Sequence, residues 1–119
     1  MTRATVITTS LNSEKTIKDT ICSVNEQTFK NIEHIFIDGN SSDKTIEIIK
    51  NNMQKNSILI SEKDNGIYHA MNKGIKLSKG EIIFILNSDD TFYNNSIVQS
   101  VMNIFSKNKD LEWIVLWHV

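Results

Sequence analysis

Ile82-Ile83-Phe84-Ile85-Leu86-Asn87-Ser88-Asp89-Asp90 is the stretch that decides the fold. Five apolar residues run together and stop at a polar, acidic cluster. A continuous apolar run of this length, rich in isoleucine, is the pattern of a strand buried on both faces, as in a parallel sheet. The cluster then falls at the strand's carboxyl end, the edge at which open α/β sheets bind ligands. Two adjacent carboxylates on a rigid strand end also suit a hard divalent cation, which takes oxygen ligands. The same residues equally suit the opening of a loop and the cap of the next helix, and the stretch alone does not separate these readings.

Upstream, Thr5 to Thr9 is β-branched throughout and reads as a first strand. Ser10-Leu11-Asn12-Ser13 breaks it, with Asn12 or Ser13 as the expected cap of a helix carrying Glu14 in its first turn and Ile17, Ile21 and Val24 on one face. Cys22 lies beside that face as a small filler, with no activating neighbour in sequence. Ile32 to Ile37 is a second strand ending at Asp38-Gly39-Asn40-Ser41-Ser42-Asp43, where Ser41 or Ser42 is the expected cap of a helix through Ile46, Ile49 and Met53. Ser57 to Ile60 is a short third strand, followed by the loop Ser61-Glu62-Lys63-Asp64-Asn65-Gly66 and a helix with Ile67, Ala70, Met71, Gly74 and Ile75 on one stripe. Gly74 on that stripe implies close approach to a neighbouring backbone, and Gly80 after Lys79 implies a left-handed residue closing the helix. Downstream of the deciding stretch come a helix through Ile97, Val101, Ile104 and Phe105 and a last strand, Glu112 to Trp117. His34 within the second strand reads as a packing residue, and three scattered histidines do not form a zinc site.

The order is thus five strands alternating with four helices. It implies an α/β fold with three α/β/α layers, a mainly parallel Rossmann-like sheet and right-handed crossovers, with residues 1–119 as a single domain. With 39% hydrophobic and 23% charged residues, the composition is that of an ordinary soluble globular protein. The net charge of −1, with Lys and Arg scattered, gives no footprint for nucleic acid. A single cysteine excludes a disulfide framework and points to a reducing compartment. No apolar run is long enough to span a membrane, and the first residues carry no signal-peptide pattern.

A parallel sheet places Thr9–Asn12, Asp38–Asn40, Glu62–Asn65 and Asn87–Asp90 along one edge. These loops concentrate Asp, Asn, Ser and Thr next to helix N-termini, which favour phosphate. Carboxylates beside a phosphate site imply a bridging cation, so the expected ligand is a nucleotide or nucleoside diphosphate with Mg²⁺ or Mn²⁺. Neither a P-loop motif nor a glycine-rich dinucleotide fingerprint is present.

Four segments resemble the nucleotide-sugar-binding half of a family 2 glycosyltransferase of the GT-A fold. They are Val6-Ile7-Thr8-Thr9-Ser10-Leu11-Asn12, Ile37-Asp38-Gly39-Asn40-Ser41-Ser42-Asp43-Lys44-Thr45, Asp64-Asn65-Gly66-Ile67-Tyr68-His69-Ala70-Met71-Asn72-Lys73-Gly74, and Gly80-Glu81-Ile82-Ile83 through Leu86-Asn87-Ser88-Asp89-Asp90. The pattern is similar to bacterial enzymes that assemble capsule, lipopolysaccharide or exopolysaccharide. The resemblance implies that Thr9, Leu11, Asn12 and Asp38 contact the base and ribose of the donor. Asn65, Gly66 and Asn72 shape its pocket. Asn87, Ser88, Asp89 and Asp90 match the family's Asp-x-Asp region, with Asp89 and Asp90 as metal ligands. Two positions depart from the pattern. Asn87 stands where many relatives have an Asp, which removes one charge. Gly39 stands where many have a second Asp that contacts the base, which weakens inference about base preference.

The resemblance further implies an inverting transfer to a glycan or lipid-linked acceptor, in the cytoplasm and peripheral to the inner membrane face. The catalytic base of such enzymes lies downstream of the last residue, Val119, and neither Asp110 nor Glu112 falls at the expected edge. The chain therefore reads as an N-terminal part, whose exposed sheet edge and tryptophans (Trp113, Trp117) imply self-association. An inactive donor-binding fragment is one alternative. A receiver-type signalling domain is another, opposed by the absence of an acidic pair after the first strand and of a lysine after the fifth.

Overall fold

The computed structural model describes residues 3–108 and Asp110. Four strands alternate with four helices: β1 (Ala4–Ser10), α1 (Ile17–Asn25), β2 (Ile32–Asp38), α2 (Thr45–Asn52), β3 (Ile58–Ser61), α3 (Ile67–Leu77), β4 (Ile82–Ile85) and α4 (Ile97–Lys107). The strands form one parallel sheet in the order β3-β2-β1-β4. The order reverses direction between β1 and β4, so their carboxyl ends form a topological switch point. The fifth strand expected over 112–117 lies outside the described residues.

The pleat sends alternate residues to opposite faces, and each face has its own helices. On one, Phe36 packs with Ile17, Ile21 and Ile49 of α1 and α2, while Ala4 packs with Val98 and Met102 of α4. On the other, Ile35 and Ile37 pack against Ala70 of α3. The layers are thus α1, α2 and α4, then the sheet, then α3. β1 and β2 are central and buried almost throughout.

β1 is buried although three of its seven residues are threonines, because each threonine hydroxyl has a partner. Thr5 donates to Glu33 at 2.8 Å, Thr8 shares a 2.8 Å bond with His34, and Thr9 donates to Asn87 at 2.9 Å. Such pairing removes most of the cost of burying a polar group.

Several local expectations are corrected. The deciding strand is not buried on both faces. Ile82 and Phe84 pack inward, whereas Ile83 is 39% and Ile85 43% exposed. Among the described residues β4 pairs only with β1, and α4 covers only one of its faces. Helix α1 starts at Ile17, with neither Asn12 nor Ser13 as its cap. Both residues are recruited sideways: Asn12 Oδ1 accepts from the Ser42 and Asp43 amides, and the Ser13 amide donates to Thr45 Oγ1. Helix α2 begins at Thr45 and is capped by neither Ser41 nor Ser42. Asp43 Oδ1 instead accepts from the Thr45 amide at 2.9 Å. At Gly74 the nearest neighbour is a side chain: a Cβ there would lie 2.6 Å from Ile7 Cγ2. Gly80 is not left-handed. It is small because a Cβ would lie 2.7 Å from the Thr5 amide nitrogen, and its own amide donates to Thr5 Oγ1.

Candidate donor site at the sheet's carboxyl edge

The carboxyl edge gathers the four loops that the sequence placed there. Parallel pairing carries Ser10 opposite Asp38 and Asp38 opposite Ser61, and the Ser88 amide continues the β1–β4 ladder by donating to the Thr9 carbonyl at 3.1 Å.

Asp38 is the hub of this edge. It is fully buried, and its two oxygens accept four hydrogen bonds. Ser10 Oγ donates to Oδ1 at 2.7 Å, Ser41 Oγ to Oδ1 at 2.6 Å, the Ser41 amide to Oδ2 at 2.7 Å and Ser61 Oγ to Oδ2 at 2.8 Å. Burial raises the carboxyl's pKa, but the bonds from Ser41, Ser10 and Ser61 outweigh it and hold it below the usual value. Four donors use the lone-pair capacity of a carboxylate. Asp38 therefore joins the loops after β1, β2 and β3, and offers no open oxygen to a ligand.

Asn12 is also engaged. Its backbone is left-handed at φ 49°, a region asparagine tolerates, and its Oδ1 anchors the turn at Ser42 and Asp43. Leu11 between them is 60% exposed over the edge.

The turn after β4 is pinned from below. Ser88 is buried, its hydroxyl shares a 2.6 Å bond with Ser13, and its carbonyl accepts from Thr16 and Thr20 of the α1 region. Thr20 also donates to the Asp90 carbonyl, at 2.6 Å. Asn87 is held by Thr9. This leaves Asp89 and Asp90 as exposed carboxylates on a backbone fixed at three points, with no side-chain hydrogen bond among the described residues. No cluster of three or more His, Cys, Asp or Glu residues fit to hold a metal occurs among the described residues. A cation on Asp89 and Asp90 would need further oxygen ligands from whatever it accompanies.

The loop before α3 is shaped by Gly66, whose φ of 108° is open only to glycine. Asp64 Oδ1 accepts from the Gly66 amide at 3.1 Å, and His69 Nδ1 accepts from the Asn65 amide at 2.9 Å. Asn65 and Gly66 are exposed beside the edge. Asn72 lies on α3, five residues beyond its first residue Ile67. It is exposed about half a helical turn away from Ala70 and Gly74, which face the sheet. Asp64 was absent from the expected contacts, yet its Oδ2 lies 3.1 Å from where a side chain on Gly39 would begin. No local pattern signals this, because β2 and β3 must first be paired.

The sequence profile of Glycosyl transferase family 2 matches residues 5–117. The chain belongs to glycosyl transferase family 2. It is 34% identical over 102 residues to an uncharacterized glycosyltransferase of Mycobacterium tuberculosis, covering 85% of this chain and 39% of that protein. It is 31% identical over 109 residues to the glycosyltransferase GlyG of Streptococcus pneumoniae, covering 89% of this chain and 36% of that one. It thus spans well under half the length of the curated relatives it matches. Two solved structures share the GT-A fold. Staphylococcus aureus TarS in complex with UDP-GlcNAc superposes with a TM-score of 0.81 at 24% identity, over 90% of this chain and 32% of that one. The mannosyltransferase PcManGT of Pyrobaculum calidifontis, in complex with GDP-Man and Mn²⁺, gives 0.79 at 21% identity, over 87% and 32%. Among the described residues no helix is long and apolar enough to cross a membrane.

Proposed function

We propose that this family 2 chain forms the donor half of an inverting glycosyltransferase, binding a nucleoside-diphosphate sugar, UDP-linked, together with Mg²⁺ or Mn²⁺. The observation that carries this reading is the pinned turn at the switch point, which presents Asp89 and Asp90 while Thr9, Ser13, Thr16 and Thr20 hold the turn still. Fixed, exposed, paired carboxylates are suited to a cation shared with a diphosphate.

Each element has a separate task in this reading. Leu11 offers the only strongly exposed apolar side chain of the β1–α1 loop and covers one side of the nucleoside. Asp38 and Asn12 act as positioning residues: they lock the two loops on which the nucleoside rests. Asn65 and Gly66 border the pocket on the far side. Asp89 and Asp90 would hold the cation, which supplies charge neutralisation to the departing diphosphate. Thr9, Asn87 and Ser88 keep those carboxylates at the strand end, so no reorganisation is needed when charge develops.

Support also comes from the fold relatives captured with UDP-GlcNAc and with GDP-Man and Mn²⁺. A relative in Mycobacterium bovis is a PGL/p-HBAD biosynthesis glycosyltransferase. A glycan or lipid-linked acceptor in bacterial surface polysaccharide synthesis, used at the cytoplasmic membrane face, is the matching setting for this chain.

Calorimetric titration of UDP with and without Mn²⁺ tests the reading. The expected result is metal-dependent binding, abolished by combining Asp89→Ala with Asp90→Ala. Failure of UDP, GDP and CDP alike to bind in the presence of Mn²⁺ would overturn it.

A further inference from the structure

One side of the sheet lies outside the donor site. Among the described residues β4 is the last strand, since it pairs with β1 alone. The Leu86 and Ser88 amides donate across to β1, so the amides of Ile83 and Ile85 alternate to the open side. Edge strands are ordinarily guarded by charge, proline or a bulge. Ile82 to Leu86 carries no charge, and the chain has no proline.

The open edge borders an apolar groove on the α3 face. Ile83 and Ile85 sit on that face, because they pair with Thr5 and Ile7, and Ile7 lies under Gly74 of α3. Helix α3 turns Lys73 toward the loop after β3, where it meets Glu62 at 2.9 Å. The other flank of the helix, with Met71 and Ile75, therefore overlooks β4. Ile75 is 45%, Ile83 39% and Ile85 43% exposed. An apolar floor, an apolar wall and an unpaired strand edge together form a surface suited to burial.

One segment of the chain has the matching chemistry. Trp113-Ile114-Val115-Leu116-Trp117, outside the described residues, is apolar at all five positions and rich in aromatic and β-branched strand formers. The family 2 profile extends through residue 117, so the segment belongs to the same unit as the sheet. It is also within reach. Met102 of α4 packs in one cluster with Ile82 at the start of β4. Six residues of helix carry the chain about 9 Å on to Asn108. The five steps from there to Trp113 span up to about 17 Å.

We infer that residues 113–117 cover the open edge of β4, pairing with the Ile83 and Ile85 amides and setting Trp113, Val115 and Trp117 into the groove between β4 and α3. These three share one face of an extended chain. The opposite face of β4 is already packed by Val98 and Met102 of α4, which leaves the α3 side for the bulkier set. The inference goes beyond the donor reading and stands whether or not a nucleotide binds. Because β4 leads into the turn that carries Asp89 and Asp90, the same contact steadies the strand behind those carboxylates.

Hydrogen exchange and tryptophan fluorescence test it on the whole chain. Trp113 and Trp117 are the only tryptophans, so tryptophan-selective emission reads this segment alone. The expected result is protection of the Ile83 and Ile85 amides, blue-shifted emission and shielding of the indoles from acrylamide. Val115→Asp puts a charge into the groove. It should abolish protection at Ile83 and Ile85 and shift the emission to the red, while the amides of the central strands β1 and β2 stay protected. Ile85→Ser, changed on the other side of the contact, should give the same red shift, and Leu11→Ser at the carboxyl edge should give none. Free exchange at Ile83 and Ile85 in the unaltered protein, or indoles as open to acrylamide as in urea, would overturn the inference. So would protection or emission unchanged by Val115→Asp. Protection that rises with protein concentration would overturn it in favour of a second copy on the same edge.

Discussion

The Thr9 hydroxyl donates to Asn87 Oδ1 at 2.9 Å, joining residues 78 positions apart and closing the end of β1 onto the turn that carries Asp89 and Asp90. Thr9 is 7% exposed, so water cannot readily replace a lost partner. Asn87→Ala is expected to cost about 1–2 kcal/mol of stability, measured by urea unfolding. Asn87→Asp keeps the acceptor and restores the charge that position 87 lacks. It should hold stability within about 1 kcal/mol and strengthen Mn²⁺-dependent UDP binding. Equal destabilisation by both variants would show that the bond to Thr9 is not what position 87 provides.

The four donors on Asp38 make the next prediction. Asp38→Ala strands two serine hydroxyls that sit inside the edge, Ser10 and Ser41, together with the Ser41 amide and Ser61. Each buried orphan costs about 1–3 kcal/mol, so a loss of at least about 3 kcal/mol is expected. The lowered pKa adds a sign. A carboxyl held below its unfolded value contributes stability that is present above that value, near pH 4, and lost as pH falls through the folded value. Asp38→Asn should therefore flatten the acid limb of a stability-versus-pH curve below about pH 4. An acid limb identical to that of the unaltered protein would contradict the assignment.

Much of this architecture was legible because strand composition and loop chemistry agree. β1 and β2 were placed to within a residue at either end, and the acidic turn after β4 fell at the right edge. What failed depended on neighbours distant in sequence. Ile82 to Leu86 is apolar at every position, so periodicity could not tell a central strand from one with an open face. Asn12 and Ser13 have ideal cap chemistry, yet their partners are Ser42, Asp43 and Thr45 on the adjoining loop. The role of Asp38 was hidden for the same reason, since Ser10, Ser41 and Ser61 come from three different loops. Asp64 and Gly39 become neighbours only once β2 and β3 pair.

Gly74 tests the packing of α3 on the sheet. Alanine in place of glycine inside a helix ordinarily stabilises by about 1 kcal/mol. Here the new methyl would lie 2.6 Å from Ile7 Cγ2, on a β-branched side chain that cannot swing aside within a buried strand. Overpacking of this kind costs about 1–3 kcal/mol, so Gly74→Ala is expected to destabilise on balance. Ile7→Ala alone should cost about 2–5 kcal/mol by opening a cavity. The double variant should be more stable than the sum of the two losses predicts, by about 1 kcal/mol or more, because each change relieves the other. Strict additivity in a thermal or urea double-mutant cycle would remove Ile7 as the reason for a glycine at 74.

His34 supplies a pH dependence of its own. It is 3% exposed beside Thr8 and Phe36, and burial lowers its pKa from 6.5 to about 3. The ring is therefore neutral in the folded protein and charged in the unfolded chain between those values. In that window the unfolded state binds the extra proton, so stability rises with pH, by up to about 1.4 kcal/mol per pH unit, and levels off above about pH 6.5. His34→Gln keeps a hydrogen-bonding group for Thr8 and removes the titration. The difference in unfolding free energy between the two proteins, measured from pH 4 to pH 8, should grow in favour of the variant as pH falls below about 6.5 and stay constant above it. A difference independent of pH would mean that His34 is protonated in the fold as readily as in the unfolded chain, and that burial beneath the α1–α2 layer does not keep it neutral.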